Sequence, residues 1–246
     1  MSTWRVVTWN LRGSRRVPVL PIAEVLRSFR PDVVAVQEVR RRQAHRLAAE
    51  LGFGCQWVLK HYPLTPLLWW RAEGMAIITP HHLSDGARTV LSAGRSTWTF
   101  RRRIMIAATV RRDGEVLRVH DVHLEGQGPE RVHQAQRAAA AIAAEALVPA
   151  AVRVVAGDLN ASNDPATVQP FLALGLADPG GHNTSPAGDP QHRVDYVLVP
   201  AGAAVEDRYV PPGGPPWDVW SDHLPFVVQF LLPLSAANPG SPAAPR

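Results

Sequence analysis

The stretch that most restricts what this chain can become is Val154-Val155-Ala156-Gly157-Asp158-Leu159-Asn160. A β-branched apolar run drives into a glycine and then presents Asp and Asn two residues apart. Strand side chains alternate, so a backbone that stays extended here aims Asp158 and Asn160 to one side. A run apolar on both faces belongs inside a covered sheet, and polar residues at the ends of such strands are where sites are usually built. The plain alternative is a turn, which Gly-Asp-x-Asn also makes. Whether other strands end the same way decides between the two.

They do. The β-prone run 5–10 ends on Asn10, and 32–37 delivers Glu38. Residues 104–110 and 116–123, separated by Asp113-Gly114, read as a hairpin whose second strand ends on His123. A short strand is expected at 74–79. The last strands, 194–199 and 225–232, carry Asp195 and follow Ser221-Asp222-His223. Helical spacing appears at 22–30, stopped by Pro31, at the basic segment 40–51, stopped by Gly52, at the Ala-rich segment 130–147, and at 166–174. A Pro/Gly/Ser-rich loop covers 179–190. A faint two-fold echo relates Val-Val-Thr-Trp-Asn near the start to Val-Val-Ala-Gly-Asp-Leu-Asn past the middle. No linker-like composition divides them, so one domain of two packed sheets is expected over 1–234. Residues 235–246 lack core formers and are expected to be a disordered tail.

Composition narrows the class. With 19% charged and 46% hydrophobic residues, the chain is globular rather than disordered, and 246 residues can bury a substantial core. Of its 26 basic residues Lys60 is the only lysine. Codon usage explains that skew most simply, although arginine's planar fork also suits phosphate. The net charge of +5 is compatible with a polyanionic partner without proving one. Cys55 stands alone, which excludes an internal disulfide. The strand pattern that starts at Trp4 leads to the expectation of no basic-then-apolar leader. No apolar run reaches the roughly 18 residues needed to span a bilayer; the nearest, 226–234, contains Gln229 and Pro233. The expectation is a soluble cytoplasmic monomer with no obligate protein partner.

Taken singly, each polar strand end has an ordinary account. Asn10 suits a turn, Glu38 a helix N-terminus, Asp222 an N-cap, and His223 a satisfied half-buried site. Together, carboxylates, amides and histidines at successive strand ends are what a hard cation and a phosphate would require.

The ordered set Thr8-Trp9-Asn10, Gln37-Glu38, Gly74-Met75-Ala76-Ile77, His123-Leu124, Gly157-Asp158-Leu159-Asn160, Arg193-Val194-Asp195-Tyr196 and Ser221-Asp222-His223-Leu224-Pro225 resembles the endonuclease/exonuclease/phosphatase (DNase I-like) superfamily over residues 3–232. The resemblance implies a four-layer α/β sandwich, with two mixed β-sheets packed face to face and helices outside. It implies a divalent cation, Mg²⁺ or Mn²⁺, bound by Glu38 with Asn10 and Asp222 close by. It makes His223 the general base or a phosphate-polarising group, held by Asp195. Asp158 would orient the nucleophile or act with the base, Asn160 would hold a non-bridging oxygen, and His123 would donate to the phosphate or protonate the leaving oxygen.

His120 and His123 look like a metal pair, but residues three apart on a strand face opposite sides, so a shared ion is rejected and His120 is read as structural or exposed. His81-His82, beside Pro80, is read as a turn.

For substrate, a His at position 123 resembles the DNase I, sphingomyelinase and 5-phosphatase branches more than the abasic-site branch, where this position is usually Tyr. The missing leader and single cysteine speak against a secreted enzyme. Arg12, Arg15 and Arg16 follow Asn10, and residues 40–42 follow Glu38, close enough for phosphate-backbone contact. The arginines at 101–103 are read as solvated. Trp69, Trp70, Trp217 and Trp220 flank motifs and could line the mouth, with at least two of the four expected in the core. The expected activity is metal-dependent phosphodiester hydrolysis, nucleic acid first. A phosphatase or phospholipase C-type enzyme on inositol phosphates or phospholipids is the alternative, and a non-catalytic binding module of the same fold is the remaining one.

Overall fold

The computed structural model describes residues 3–15, 17–60, 70–93, 102–146, 151–162 and 164–232. In chain order the elements are β1 (Thr3–Asn10), α1 (Val19–Phe29), β2 (Val33–Arg40), α2 (Arg41–Leu51), β3 (Gly54–Leu59), β4 (Glu73–Thr79), β5 (His82–Val90), β6 (Ile104–Arg112) and β7 (Glu115–His123). They continue as α3 (Pro129–Ala144), β8 (Ala151–Asp158), α4 (Pro165–Leu172), β9 (Leu176–Ala177), β10 (Asp195–Pro200), β11 (Ala204–Tyr209), α5 (Trp217–Trp220) and β12 (Phe226–Leu231).

Two six-stranded mixed sheets result, ordered β11-β12-β1-β2-β4-β3 and β5-β6-β7-β8-β10-β9. The alternation of side chains explains the layering. Trp4 and Val6 of β1, Val33 and Ala35 of β2, Leu117 and Val119 of β7, and Val154 and Ala156 of β8 meet in one core between the sheets. The intervening residues face outward. Val7, Trp9, Val34 and Val36 bury against α1 and α2, and Met105, Val122, Val155 and Leu198 against α3 and α4. Strands covered on both faces must be apolar at every position, which is why they read as continuous runs. This is the four-layer sandwich expected from the sequence.

The parallel steps β1–β2 and β7–β8 are bridged by α1 and α3. The β6–β7 hairpin turns at Asp113 and Gly114, both at positive φ, as an Asp-Gly turn demands. Edge strands were invisible in the sequence. β11 is exposed along its whole length, and β5 (His-Leu-Ser-Asp-Gly-Ala-Arg-Thr-Val) is half polar and bulged between Ser84 and Ala87. An edge strand with one solvated face needs no apolar run. His82 therefore opens a strand, while His81 anchors structure through a 2.8 Å contact to Asp32. No helix among the described residues is long and apolar enough to cross a membrane. The expected tail 235–246 lies outside the described residues, as do Arg16, Trp69 and Arg101.

Candidate active site

The inter-sheet core changes character at one end. The inward row of β1 runs Trp4, Val6, Thr8, Asn10; that of β7 runs Leu117, Val119, Asp121, His123; that of β8 runs Val154, Ala156, Asp158. Pairing sets these tips side by side: Asn10 opposite Gln37, and Asp158 opposite both His123 and Asp195. The echo between the two halves now has a geometric meaning. β1 and β8 are central strands of facing sheets, and their tips touch, Asn10 Nδ2 donating to Asp158 Oδ2 at 3.0 Å.

Glu38 reaches the same place by breaking the alternation. Gln37 already points inward, so Glu38 on a regular strand would point out. Instead β2 bulges against β4 between Val36 and Val39, and Glu38 adopts φ +51°. Bulges re-aim side chains in this way, next to sites especially. Gly157 is forced by close approach: φ is +139°, and a Cβ there would sit 2.0 Å from the Val122 carbonyl oxygen.

Asp195 is fully buried, and its Oδ2 accepts from His223 Nδ1 at 2.9 Å. Burial alone would lower the His223 pKa. The Asp195 and Asp158 charges outweigh it and hold the imidazole at about 10, so it carries its proton at neutral pH. The Asp158 pKa is also raised, but for the opposite reason. Burial, with the charge of Asp195 behind it, lifts its carboxyl to about 6 against the pull of His223, whose Nε2 lies 3.9 Å away.

His123 Nε2 lies 3.6 Å from Asp158 and 3.8 Å from Glu38, and it accepts a hydrogen bond from the Arg103 guanidinium. Asn160 is less simply placed. The chain does not stay extended past Asp158: Asn160 takes φ +52°, its backbone N–H donates to Asp158 Oδ1, and its Nδ2 donates to the Leu124 carbonyl at 3.0 Å. Asp158 and Asn160 thus share the site through an Asp-capped turn rather than a common strand face. Asp222 stands on the rim, its carboxylate paired with Arg12 at 3.0 Å, both side chains more than a third exposed.

Sequence reasoning missed three participants. Lys60, at the end of β3, is buried with its ammonium 3.2 Å from Glu38 Oε1 and 3.4 Å from His123 Nδ1. Burial pulls its pKa down, with Glu38 resisting. Burial likewise would raise Glu38, but the Lys60 charge and hydrogen bond hold that carboxyl below its ordinary value. Its standing as the sole lysine was the available signal. Arg103 is not the solvated residue its cluster implied; its side chain is 13% exposed and reaches both His123 and Glu125. Asp121, behind the site, is fully buried, and Gln37 Nε2 donates to its Oδ1 at 2.6 Å. Burial and the nearby Asp158 charge raise its pKa well above the ordinary value against the Gln37 hydrogen bond, and so favour its protonated form. Asp121 Oδ2 and Gln37 Oε1 are both buried without a partner. His120 faces away, bonded to Glu145 at 2.9 Å, so the histidine pair is indeed split across the strand. Trp217 and Trp220 pack partly buried against the α1/α2 core, and Trp70 stands 49% exposed.

The donor set suits a hard cation. Glu38, Asp158 and Asp195 bring three carboxylates to this end, ligand atoms of Asp158 and Asp195 lie within 4.8 Å of each other, and Asp195 Oδ1 is buried without a partner. Carboxylates crowded out of water are what such an ion relieves.

The model of the endonuclease/exonuclease/phosphatase family matches residues 7–223. The chain belongs to this family. No curated protein sequence matches it. Among solved structures it is similar to an endonuclease/exonuclease/phosphatase from Bacteroides vulgatus (18% identity, TM-score 0.78, covering 94% of this chain and 100% of that one). It is similar also to the mannosyl-6-phosphatase Bt3783 of Bacteroides thetaiotaomicron (17%, 0.75, 93% and 100%). A third is D. rerio TDP2 complexed with single strand DNA product (18%, 0.71, 94% and 100%). At such identities the likenesses establish the DNase I-like fold. Family and fold together support a phosphoesterase.

Proposed function

We propose that the protein is a divalent-metal-dependent phosphodiesterase acting on nucleic acid. The observation that carries the reading is the joined cluster of Glu38, His123, Asp158, Asp195 and His223 at the common end of two facing sheets. Crowding three carboxylates and two imidazoles out of water costs stability even where they pair, so a function other than folding accounts for the cluster.

Glu38, with Asn10 at the same strand ends, would hold the cation, Mg²⁺ or Mn²⁺. Asp222 would join only by leaving Arg12, an exposed pair worth at most about 1 kcal/mol. The ion's contribution is to offset charge developing on the phosphate oxygens.

The chain's own groups divide the remaining work. Of the two carboxyls facing His223, Asp158 has basicity near neutrality and is bonded by Asn10 and Asn160, so it is placed to accept a proton from water. His223, charged and fixed by Asp195, is better suited to clamping a phosphate oxygen than to acting as base. That favours the phosphate-polarising role for His223 over the general-base role. Asn160, with one amide hydrogen spent on Leu124, has the other for a non-bridging oxygen. His123 accepts from Arg103 at Nε2, so in this arrangement the guanidinium is the donor turned toward phosphate and His123 orients it.

A monoester phosphatase is the second reading, favoured by the similarity to a protein named mannosyl-6-phosphatase. The test is a purified-protein panel with Mg²⁺ or EDTA. It covers supercoiled DNA, single-stranded DNA, RNA, sugar and inositol phosphates and sphingomyelin, with His223→Ala alongside. Metal-dependent cleavage of DNA or RNA, lost in the variant, is expected. Release of inorganic phosphate or phosphocholine without cleavage of nucleic acid would replace this reading with the second or with a phospholipase.

A further inference from the structure

Three consecutive residues of β2 tie the catalytic end of the molecule to a surface that the chemistry above does not use. The Glu38 carbonyl accepts from Gly13 N–H at 2.5 Å, an approach only glycine permits, since a Cβ on Gly13 would lie 2.2 Å from that oxygen. The Val39 carbonyl accepts from Trp57 Nε1 at 2.9 Å. Arg40 N–H donates to Gln43 Oε1 and its guanidinium to the Ser14 carbonyl, each within 2.9 Å. Loop 11–15, the start of α2 and strand β3 are therefore braced against the backbone that positions Glu38.

Two concavities open on this platform. One, of about 590 Å³, is ringed by five arginines, Arg15, Arg40, Arg42, Arg46 and Arg71. Among the described residues, the acids facing them are Glu50, 3.9 Å from Arg46, and Glu73 beside Arg40. Burial raises the Glu73 carboxyl, which weakens its capacity to neutralise Arg40. The Arg40 Nε is buried without a partner. The second, of about 470 Å³, is walled by Trp57, Trp70 and Leu59, and Arg42 borders both. Guanidinium surplus calls for an anion with planar oxygens, and an aromatic slot beside it calls for a flat apolar group.

We propose that these two concavities form one subsite for single-stranded nucleic acid, a backbone phosphate lying among the arginines and the neighbouring base stacking in the Trp57–Trp70 slot. It deepens, and for its biological meaning rests on, the nuclease reading. A base can enter a recessed slot only when it is out of a duplex stack, so the subsite selects single strands or frayed ends. A bilayer would engage the exposed Trp70 and leave the half-buried Trp57 wall unused; a lone phosphate would leave the whole slot unused.

The test is fluorescence anisotropy of a labelled oligothymidylate with the full-length protein in EDTA, against a blunt duplex of the same length and phosphatidylserine vesicles. Trp70→Ala is expected to weaken single-strand binding about tenfold. Arg42→Gln and Arg46→Gln should weaken it too, each flattening the salt dependence by about one counterion. Arg30→Gln, outside both concavities, controls for net charge, and unchanged melting temperatures control for folding. The proposal is overturned if these variants bind single strands as wild type does, if the duplex binds equally with the same sensitivity, or if only vesicle binding responds. Wild-type hydrolysis of bis(p-nitrophenyl) phosphate with Mg²⁺ separates the two claims. Turnover without oligonucleotide binding sinks the subsite alone, and oligonucleotide binding without turnover sinks the enzymatic reading alone.

Discussion

Replacing Asp158 with Asn should stabilise the protein while abolishing its activity. Asp158 is fully enclosed and its carboxyl is held at about 6 rather than 3.8. The folded state therefore retains a proton over a pH range in which the unfolded chain has lost it. Stability falls as pH rises between those values and stays lowered above them, by about 3 kcal/mol for a displacement of this size. Asn is neutral at every pH and its one oxygen still accepts from Asn10 Nδ2, but the Asn160 N–H loses its acceptor, so Asp158→Asn escapes the charge penalty and gives back about 1 kcal/mol. Urea melts in EDTA should show the variant more stable by about 2 kcal/mol at pH 7, equivalent to roughly 6 °C in Tm for a chain this size. The gap should close as pH falls toward 4. Hydrolysis should fall at least about 100-fold, since proton transfer to a positioned base typically contributes that much. A variant less stable at pH 7, or a gap that does not change with pH, would refute the assignment of Asp158 as a base strained by burial.

Asp195→Asn should cost about 3–5 kcal/mol, because it leaves the buried His223 charge without its closest partner. NMR titration of the ring should find its pKa well below the present value of about 10. Wild-type stability from the His223–Asp195 pair should be complete below pH 6.5 and decline as pH rises toward 10, which urea melts across that range would show. Asp121→Asn should also stabilise at neutral pH and less so in acid, since burial disfavours the charged Asp121 carboxylate; a destabilised variant would contradict that. Lys60→Met should tighten Mg²⁺ binding about tenfold in calorimetric titration by removing a positive charge 3.2 Å from Glu38.

Most of the framework was legible because both central sheets are covered on both faces. The strands carrying Asn10, Glu38, Asp158 and Asp195 are built on near-continuous apolar runs, and each polar tip broke a run. What stayed hidden was whatever solvent or tertiary contact decides. β5 and β11 tolerate polar residues because each sits at a sheet edge. The bulge that turns Glu38 inward leaves no mark in Gln-Glu-Val-Arg. Asn160 was expected on a strand face with Asp158, but the left-handed turn places it by way of Leu124. Lys60 and Arg103 were passed over because a basic residue in a loop is ordinarily solvated, and only packing shows these two enclosed against Glu38 and His123.

The central claim meets its most direct test in the nicking of supercoiled plasmid by the wild-type protein and by Glu38→Gln, each with Mg²⁺ and with EDTA. The account predicts cleavage by the wild type with Mg²⁺, none in EDTA, and a loss of about 100-fold or more in Glu38→Gln that excess Mg²⁺ only partly restores. Cleavage that persists in EDTA, or a Glu38→Gln protein that nicks as fast as wild type, would contradict it.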